Sequence, residues 1–170
     1  MKSIARTIEV IANVAIICVA ISLGVVLFSR TIRSYRGTVS ESAKTAPGKE
    51  QKIQLPGIDW SKNEQTLVLA ISSTCHFCTE SAAFYRDIRA RTRVHTVAVL
   101  PQSVSEGRNY LSNLGVQVDE VLQVPLSSID VNGTPTLLLV SRDGTVIRTW
   151  LGKLPPDLER EVLLSVGAEG

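Results

Sequence analysis

The chain has 170 residues, 44% hydrophobic but only 5% aromatic, enough for one domain of ordinary size plus a further segment rather than for two domains. Its formal charge of +2 hides a split: residues 1–48 carry six Lys/Arg against two Asp/Glu, residues 49–170 twelve against fourteen. A globular part with a slight acidic excess lacks the concentrated basic face that nucleic acids require, which argues against that class of partner.

From Val10 to Ser29 no residue is charged, and 16 of the 20 are Val, Ile, Leu, Ala, Phe or Cys. Twenty residues at helical rise match a hydrocarbon core of roughly 30 Å, so residues 1–29 are predicted to form a single transmembrane anchor. The run exceeds a usual signal-peptide core, and no small-x-small pattern follows it before Arg30. Ile17 stands before Cys18 where a lipoprotein signal would need a small residue. A cleaved signal and a buried core helix are the alternatives. Lys2 and Arg6 on one side, with Glu9, and Arg30, Arg33 and Arg36 on the other leave the orientation undecided by charge.

Residues 30–52, polar and without apolar periodicity, are predicted to be a flexible tether, and residues 53–170 a folded domain. Ile53-Gln54-Leu55 alternates like a short strand, Pro56-Gly57 marks a turn, and Ile58-Asp59-Trp60 reads as another extended piece. Thr66 to Ile71 is a buried strand, followed by a helix from about Cys75 to Arg91. Val94 to Leu100 is a second buried strand, closed by Pro101. Ser103, with Glu106 three residues on, caps a helix that Gly115 stops. Val116 to Val124 holds a short strand. Thr136 to Val140 is a third strongly apolar strand, turned by Arg142-Asp143-Gly144 into Thr145–Leu151. Pro155-Pro156-Asp157 opens a last helix reaching about Val166.

The chemistry concentrates at Cys75-His76-Phe77-Cys78. Ser72-Ser73-Thr74 supplies turn and cap residues that put Cys75 at or beside the first helical position. Free N–H groups and the positive end of the helix dipole there favour a thiolate, and a cysteine three residues on lies one turn away, in reach for a disulfide. The pair could instead be half a zinc site or a structural disulfide. Only His76 and His95, besides Cys18, remain as further ligands, and His76 sits between the cysteines. His76 is either an exposed helix-start residue or a cation near the Cys75 thiolate; His95, in a strand pattern, reads as structural.

Cys75-His76-Phe77-Cys78 after a strand, and Gly133-Thr134-Pro135-Thr136 before another strand with Pro135 57 residues beyond Cys78, together resemble the thioredoxin-like superfamily. Within it, residues 53–166 are similar to the membrane-anchored, extracytoplasmic thiol-disulfide oxidoreductases of the TlpA and cytochrome-c-maturation type. The resemblance implies an α/β, thioredoxin-like fold, a central mixed sheet flanked by helices. It implies Cys75 as nucleophile and Cys78 as resolving thiol, with Thr134, cis-Pro135 and His76 at the surface that meets the substrate. It implies no cofactor beyond the dithiol and no metal, protein thiols or disulfides as substrates, and a membrane redox partner. The location implied is a single-pass membrane protein with its domain on the periplasmic side.

The sequence also departs from that pattern. Thioredoxin's buried aspartate is replaced by Leu69, the glutamate of the cytochrome-maturation branch by Ser81, with Glu80 the nearest carboxylate, and the tryptophan before the first cysteine by Thr74. The residue that moves the proton of Cys78 is therefore unassigned, and with it the direction of electron flow. A Cu(I) metallochaperone using the two thiolates, and a non-catalytic adaptor on the same fold, are the competing classes. One Met and two His argue against the first.

Overall fold

The computed structural model describes residues 51–167. The predicted anchor, residues 1–29, and residues 30–50 of the predicted tether lie outside the described residues. Among the described residues no helix is long and apolar enough to cross a membrane.

Five strands form one sheet: β1 (Gln65–Ala70), β2 (His95–Leu100), β3 (Glu120–Gln123), β4 (Thr136–Ser141) and β5 (Val146–Leu151). Their order across the sheet is β3-β2-β1-β4-β5, with β1, β2 and β3 parallel and β4 and β5 antiparallel to their neighbours. β1 is central and buried on both faces, which is what its unbroken apolar sequence demands. Four helices accompany it: α1 (His76–Glu80), α2 (Ala82–Arg91), α3 (Val104–Asn113) and α4 (Pro156–Ser165).

Alternate residues of the central strands supply two cores. Leu67, Leu69 and Ile71 pack with Cys78, Ile88, Leu111 and Val162, so the buried side chains of all four helices join one cluster. Val68, Ala70, Val97 and Val99 pack on the other face against Ile53, Leu55, Trp60, Ile129 and Val131. That second cover is made of loops and two 3-10 turns, Trp60–Lys62 and Leu126–Ile129.

The residues before the sheet differ from expectation. Ile53 and Leu55 are buried, but in place of the short strand expected there this stretch forms only an isolated bridge between Lys52 and Thr145. Ile58-Asp59-Trp60 leads not into an extended piece but into a 3-10 turn, because Asp59 accepts a bond from the Ser61 N–H and caps it. Gln51 and Lys52, predicted as the end of the tether, are already held: Val146 N donates to Gln51 O at 2.8 Å. The β4–β5 hairpin turns through Gly144, which must be glycine. Its φ is +82°, and a Cβ would stand 3.1 Å from Trp60 and 3.2 Å from the Ile53 carbonyl oxygen.

One polar tie holds the sheet's open edge. Asp119, just before β3, accepts from the Thr96 N–H at 2.8 Å and the Thr96 hydroxyl at 2.9 Å and pairs with Arg89 at 3.1 Å. Partial burial would raise its pKa, but the Thr96 bonds and Arg89 outweigh this and hold it below the usual carboxylate range. Its stabilisation is thus complete above the unfolded-state pKa of about 4 and is lost as pH falls through the lower folded value. Asp119→Asn should cost about 1–2 kcal/mol at neutral pH, with the gap to wild type closing towards pH 2. Urea denaturation across that range measures it, and a gap independent of pH would disprove the assignment.

Candidate active site

The site is built where β1 runs out. Ile71 N still donates to Val99 O at 3.0 Å, and the chain then turns through Ser72-Ser73-Thr74. Gln102, in the loop after β2, holds this turn. Its Nε2 donates to Ser72 Oγ at 2.9 Å and its Oε1 accepts from Ser73 N at 3.4 Å, while Ser73 Oγ donates to Glu106 at 2.8 Å. Cys75 N donates to Ser72 O at 3.1 Å.

Cys75 is the N-cap of α1: its backbone is extended, and its Sγ accepts from the Cys78 N–H at 3.2 Å. The cap is therefore the cysteine sulfur itself rather than a side chain of Ser72–Thr74. α1 lasts only five residues. The predicted continuous helix over 75–91 is interrupted at Ser81, whose hydroxyl donates to Phe77 O at 2.8 Å, where its own N–H also bonds at 3.0 Å. A serine bonding back to the preceding turn in this way bends a helix.

The two thiols have opposite surroundings. Both are free cysteines, Cys75 half-buried and Cys78 fully buried. Burial would raise the Cys75 pKa, but hydrogen bonds from the Cys78 thiol, the Thr134 side chain and the Cys78 and Phe77 N–H groups prevail and place it below the ordinary thiol value. Burial, then the neighbouring Cys75, pushes the Cys78 thiol up to about 12.

The second motif meets the first. The Thr134–Pro135 peptide is cis, Pro135 is buried, and the Cys75 thiol donates to Thr134 O at 3.3 Å. Cys75 and Cys78 are thus brought to Thr134 and Pro135 from positions 56 or more away in the sequence. Gly152 N donates to Pro135 O at 2.7 Å, joining the loop after β5 to the same corner. His76 lies further out, with its side chain 79% exposed and its Nε2 3.0 Å from Glu80 Oε1. Glu80 also pairs with Lys153 at 2.8 Å. The nearest carboxylate therefore points into solvent, while Ser81 beside it is buried, as the turn of about 100° per residue requires. His95 stands at the start of β2, 3.6 Å from Glu120, away from this site. Among the described residues no group of three or more His, Cys, Asp or Glu is placed to hold a metal ion.

Similar folds recur in solved structures. A thiol:disulfide interchange protein named DsbE from Chlorobium tepidum aligns with a TM-score of 0.52 at 20% identity, over 63% of this chain and 83% of that one. A thiol-disulfide isomerase from Corynebacterium glutamicum gives 0.52 at 15% identity, over 74% and 99%. The thioredoxin domain of a thiol-disulfide oxidoreductase from Bacteroides vulgatus gives 0.52 at 18%, over 73% and 100%. The fold is thioredoxin-like. No protein-family model matches the chain, and no curated protein matches it either. In this thioredoxin-like domain the Cys-x-x-Cys segment sits at the C-terminal end of the central strand, beside the cis-proline loop.

Sequence reasoning missed Gln102 and Lys153. Gln102 was within reach of inference: it follows the strand paired in parallel with β1, so its loop must lie beside the one that carries Cys75. Lys153 gave no such signal, since only the docking of the loop after β5 brings it to Glu80.

Proposed function

We propose that this protein is a thiol-disulfide oxidoreductase, tethered to a membrane by residues 1–29 and working outside the cytoplasm on protein thiols and disulfides. The observation that carries the reading is the division between the thiols: an accessible Cys75 held below the ordinary thiol pKa, and a buried Cys78 held far above it. A first thiol that ionises more readily than usual and is partly exposed attacks. A second that is protonated and covered waits until the first is engaged, then displaces the client.

Exchange runs in either direction on the same atoms. A Cys75 thiolate attacks a client disulfide, or a client thiolate attacks the Cys75–Cys78 disulfide; in both cases a mixed disulfide on Cys75 is the intermediate. Thr134, whose carbonyl faces Cys75, and buried Pro135 form the wall against which an extended client segment would lie. Exposed Phe77 and His76 form the opposite rim. The redox centre is the dithiol, and no organic cofactor is invoked. A membrane redox partner would reset the pair, and tethering would keep both near.

Equilibration of the Cys75–Cys78 pair against glutathione tests this. A reversible two-electron couple is expected. A potential near that of thioredoxin, roughly −270 mV, would make the protein a reductant, and one near −120 mV an oxidant. No reversible couple would overturn the proposal.

A further inference from the structure

Position 69 is Leu and position 81 Ser, so neither brings a carboxylate to Cys78, and Glu80 is turned to solvent against Lys153 and His76. In the same buried cluster as Cys78, near enough for the two to interact electrostatically, is a phenol. Tyr85 is 3% exposed, lies in the same buried cluster as Cys78, Leu69 and Ala82, and its hydroxyl has no hydrogen-bond partner among the described residues. Cys78, Ser81 and Tyr85 are spaced three and four apart and are all buried, which sets them on one face of the α1–α2 segment. A buried hydroxyl left without a partner is costly, so its retention asks for a partner in another state of the molecule.

We propose that the Tyr85 hydroxyl donates a hydrogen bond to the sulfur of Cys78 as that thiol becomes the attacking thiolate, taking the part a carboxylate would otherwise play. The inference rests on the exchange reading above and names the residue that reading left unassigned. In the first step the Cys75 thiolate attacks a client R–S–S–R′, forming Cys75–S–S–R and releasing R′–S⁻. In the second, Cys78 attacks Cys75 Sγ, the Cys75–Cys78 disulfide forms, and R–S leaves with the proton that Cys78 gives up. Two electrons pass from the pair to the client. Tyr85 transfers no proton. Burial first, and then the Cys78 sulfur, push its phenol above the usual tyrosine range, so it stays protonated and acts only as a donor.

The other groups around these atoms leave that task to Tyr85. Tyr110, from α3, shares its hydroxyl with Thr79 at 3.1 Å. The Ser81 hydrogen is used on Phe77 O, while its oxygen, near enough to the Tyr85 hydroxyl to oppose the rise in the phenol's pKa, is an acceptor that competes with Cys78. The Ser72 N–H and the Thr134 side chain also favour the Cys78 thiolate, so loss of Tyr85 weakens that stabilisation rather than abolishing it. Cys75 is the remaining ionisable group near both.

The test uses the full chain in detergent, with Cys18→Ser so that only the pair reacts, mixed as dithiol with one equivalent of Ellman's reagent. Attack by Cys75 releases a first thionitrobenzoate and resolution by Cys78 a second. In Tyr85→Phe the first release should keep its rate, while the second slows about tenfold, the loss of one hydrogen bond to a charged group. Its pH profile should move up by about one unit. Tyr110→Phe should leave both phases alone. An unchanged second phase in Tyr85→Phe, or equal slowing in both variants, would overturn the role of Tyr85. Absence of the first phase in the parent chain would overturn the exchange reading itself. Should Tyr85→Phe fail to fold, 3-fluorotyrosine at position 85, a stronger donor, should speed the second phase; an unchanged rate would overturn the proposal.

Discussion

Cys75→Ser will lose exchange with protein disulfides down to the uncatalysed rate, whereas Cys78→Ser will begin the reaction and stop halfway. The difference follows from where the sulfurs sit. Cys75 alone is open to a client, and the donors that lower its pKa include the backbone N–H groups of Phe77 and Cys78, which a serine at 78 leaves in place. Cys78→Ser does remove the thiol that also bonds Cys75, so its first attack should be somewhat slower but intact. With no second thiol to displace it, the client stays on Cys75 as a mixed disulfide and can be isolated on a non-reducing gel. A serine hydroxyl at position 75 has no comparable ionisation and supplies no nucleophile. Capture of clients by Cys75→Ser, or failure of capture by Cys78→Ser, would reverse the assignment of attacking and resolving thiols.

The largest effect on stability is expected at Trp150. It is 1% exposed, sits opposite Leu137 in the β4–β5 pairing, and belongs to the helix-side core. Its indole N–H donates to Glu161 of α4 at 3.2 Å, a carboxylate that Arg148 also holds at 2.7 Å. Trp150→Ala removes the packing that joins the edge strand to the last helix and should cost about 3–5 kcal/mol. Trp150→Phe, which keeps most of the apolar area and loses only the N–H, should cost far less. Urea midpoints with an unchanged slope would report both. A loss below about 1 kcal/mol for Trp150→Ala would mean that α4 closes over the space left behind.

Those core positions were legible in the sequence because one physical signal dominates them. An apolar run such as Leu67–Ile71 has few places to go except a doubly covered strand, and Ser103 with Glu106 has the spacing of a cap, which the Ser103 Oγ···Glu106 N–H bond at 3.3 Å fulfils. The turn at Arg142-Asp143-Gly144 and the helix start at Pro155-Pro156 followed from backbone restrictions as local as those. Elsewhere two signals competed. Cys75 to Arg91 carries apolar residues at helical intervals throughout, and periodicity cannot register that the Ser81 hydroxyl would take the Phe77 carbonyl and break the run. Residues 53–60 alternate like a strand and are buried like one, yet they cover the sheet's second face with almost no ladder of their own. In the site, the two motifs fixed Cys75, Cys78, Thr134 and Pro135. Lys153 and Tyr85 depend on which loops dock together and on which way a bent helix faces, and single-sequence spacing does not encode either.

The bridge from Lys52 to Thr145 gives the domain a handle. It lies at the hairpin end of the sheet, where Gln65 pairs with Ser141, while the dithiol lies past the other end, where Ala70 pairs with Thr136. Six residues of strand put roughly 20 Å between the two poles. The chain therefore enters the domain at the pole remote from Cys75. A pull applied at Gln51 would act on that pole, away from the reactive sulfurs.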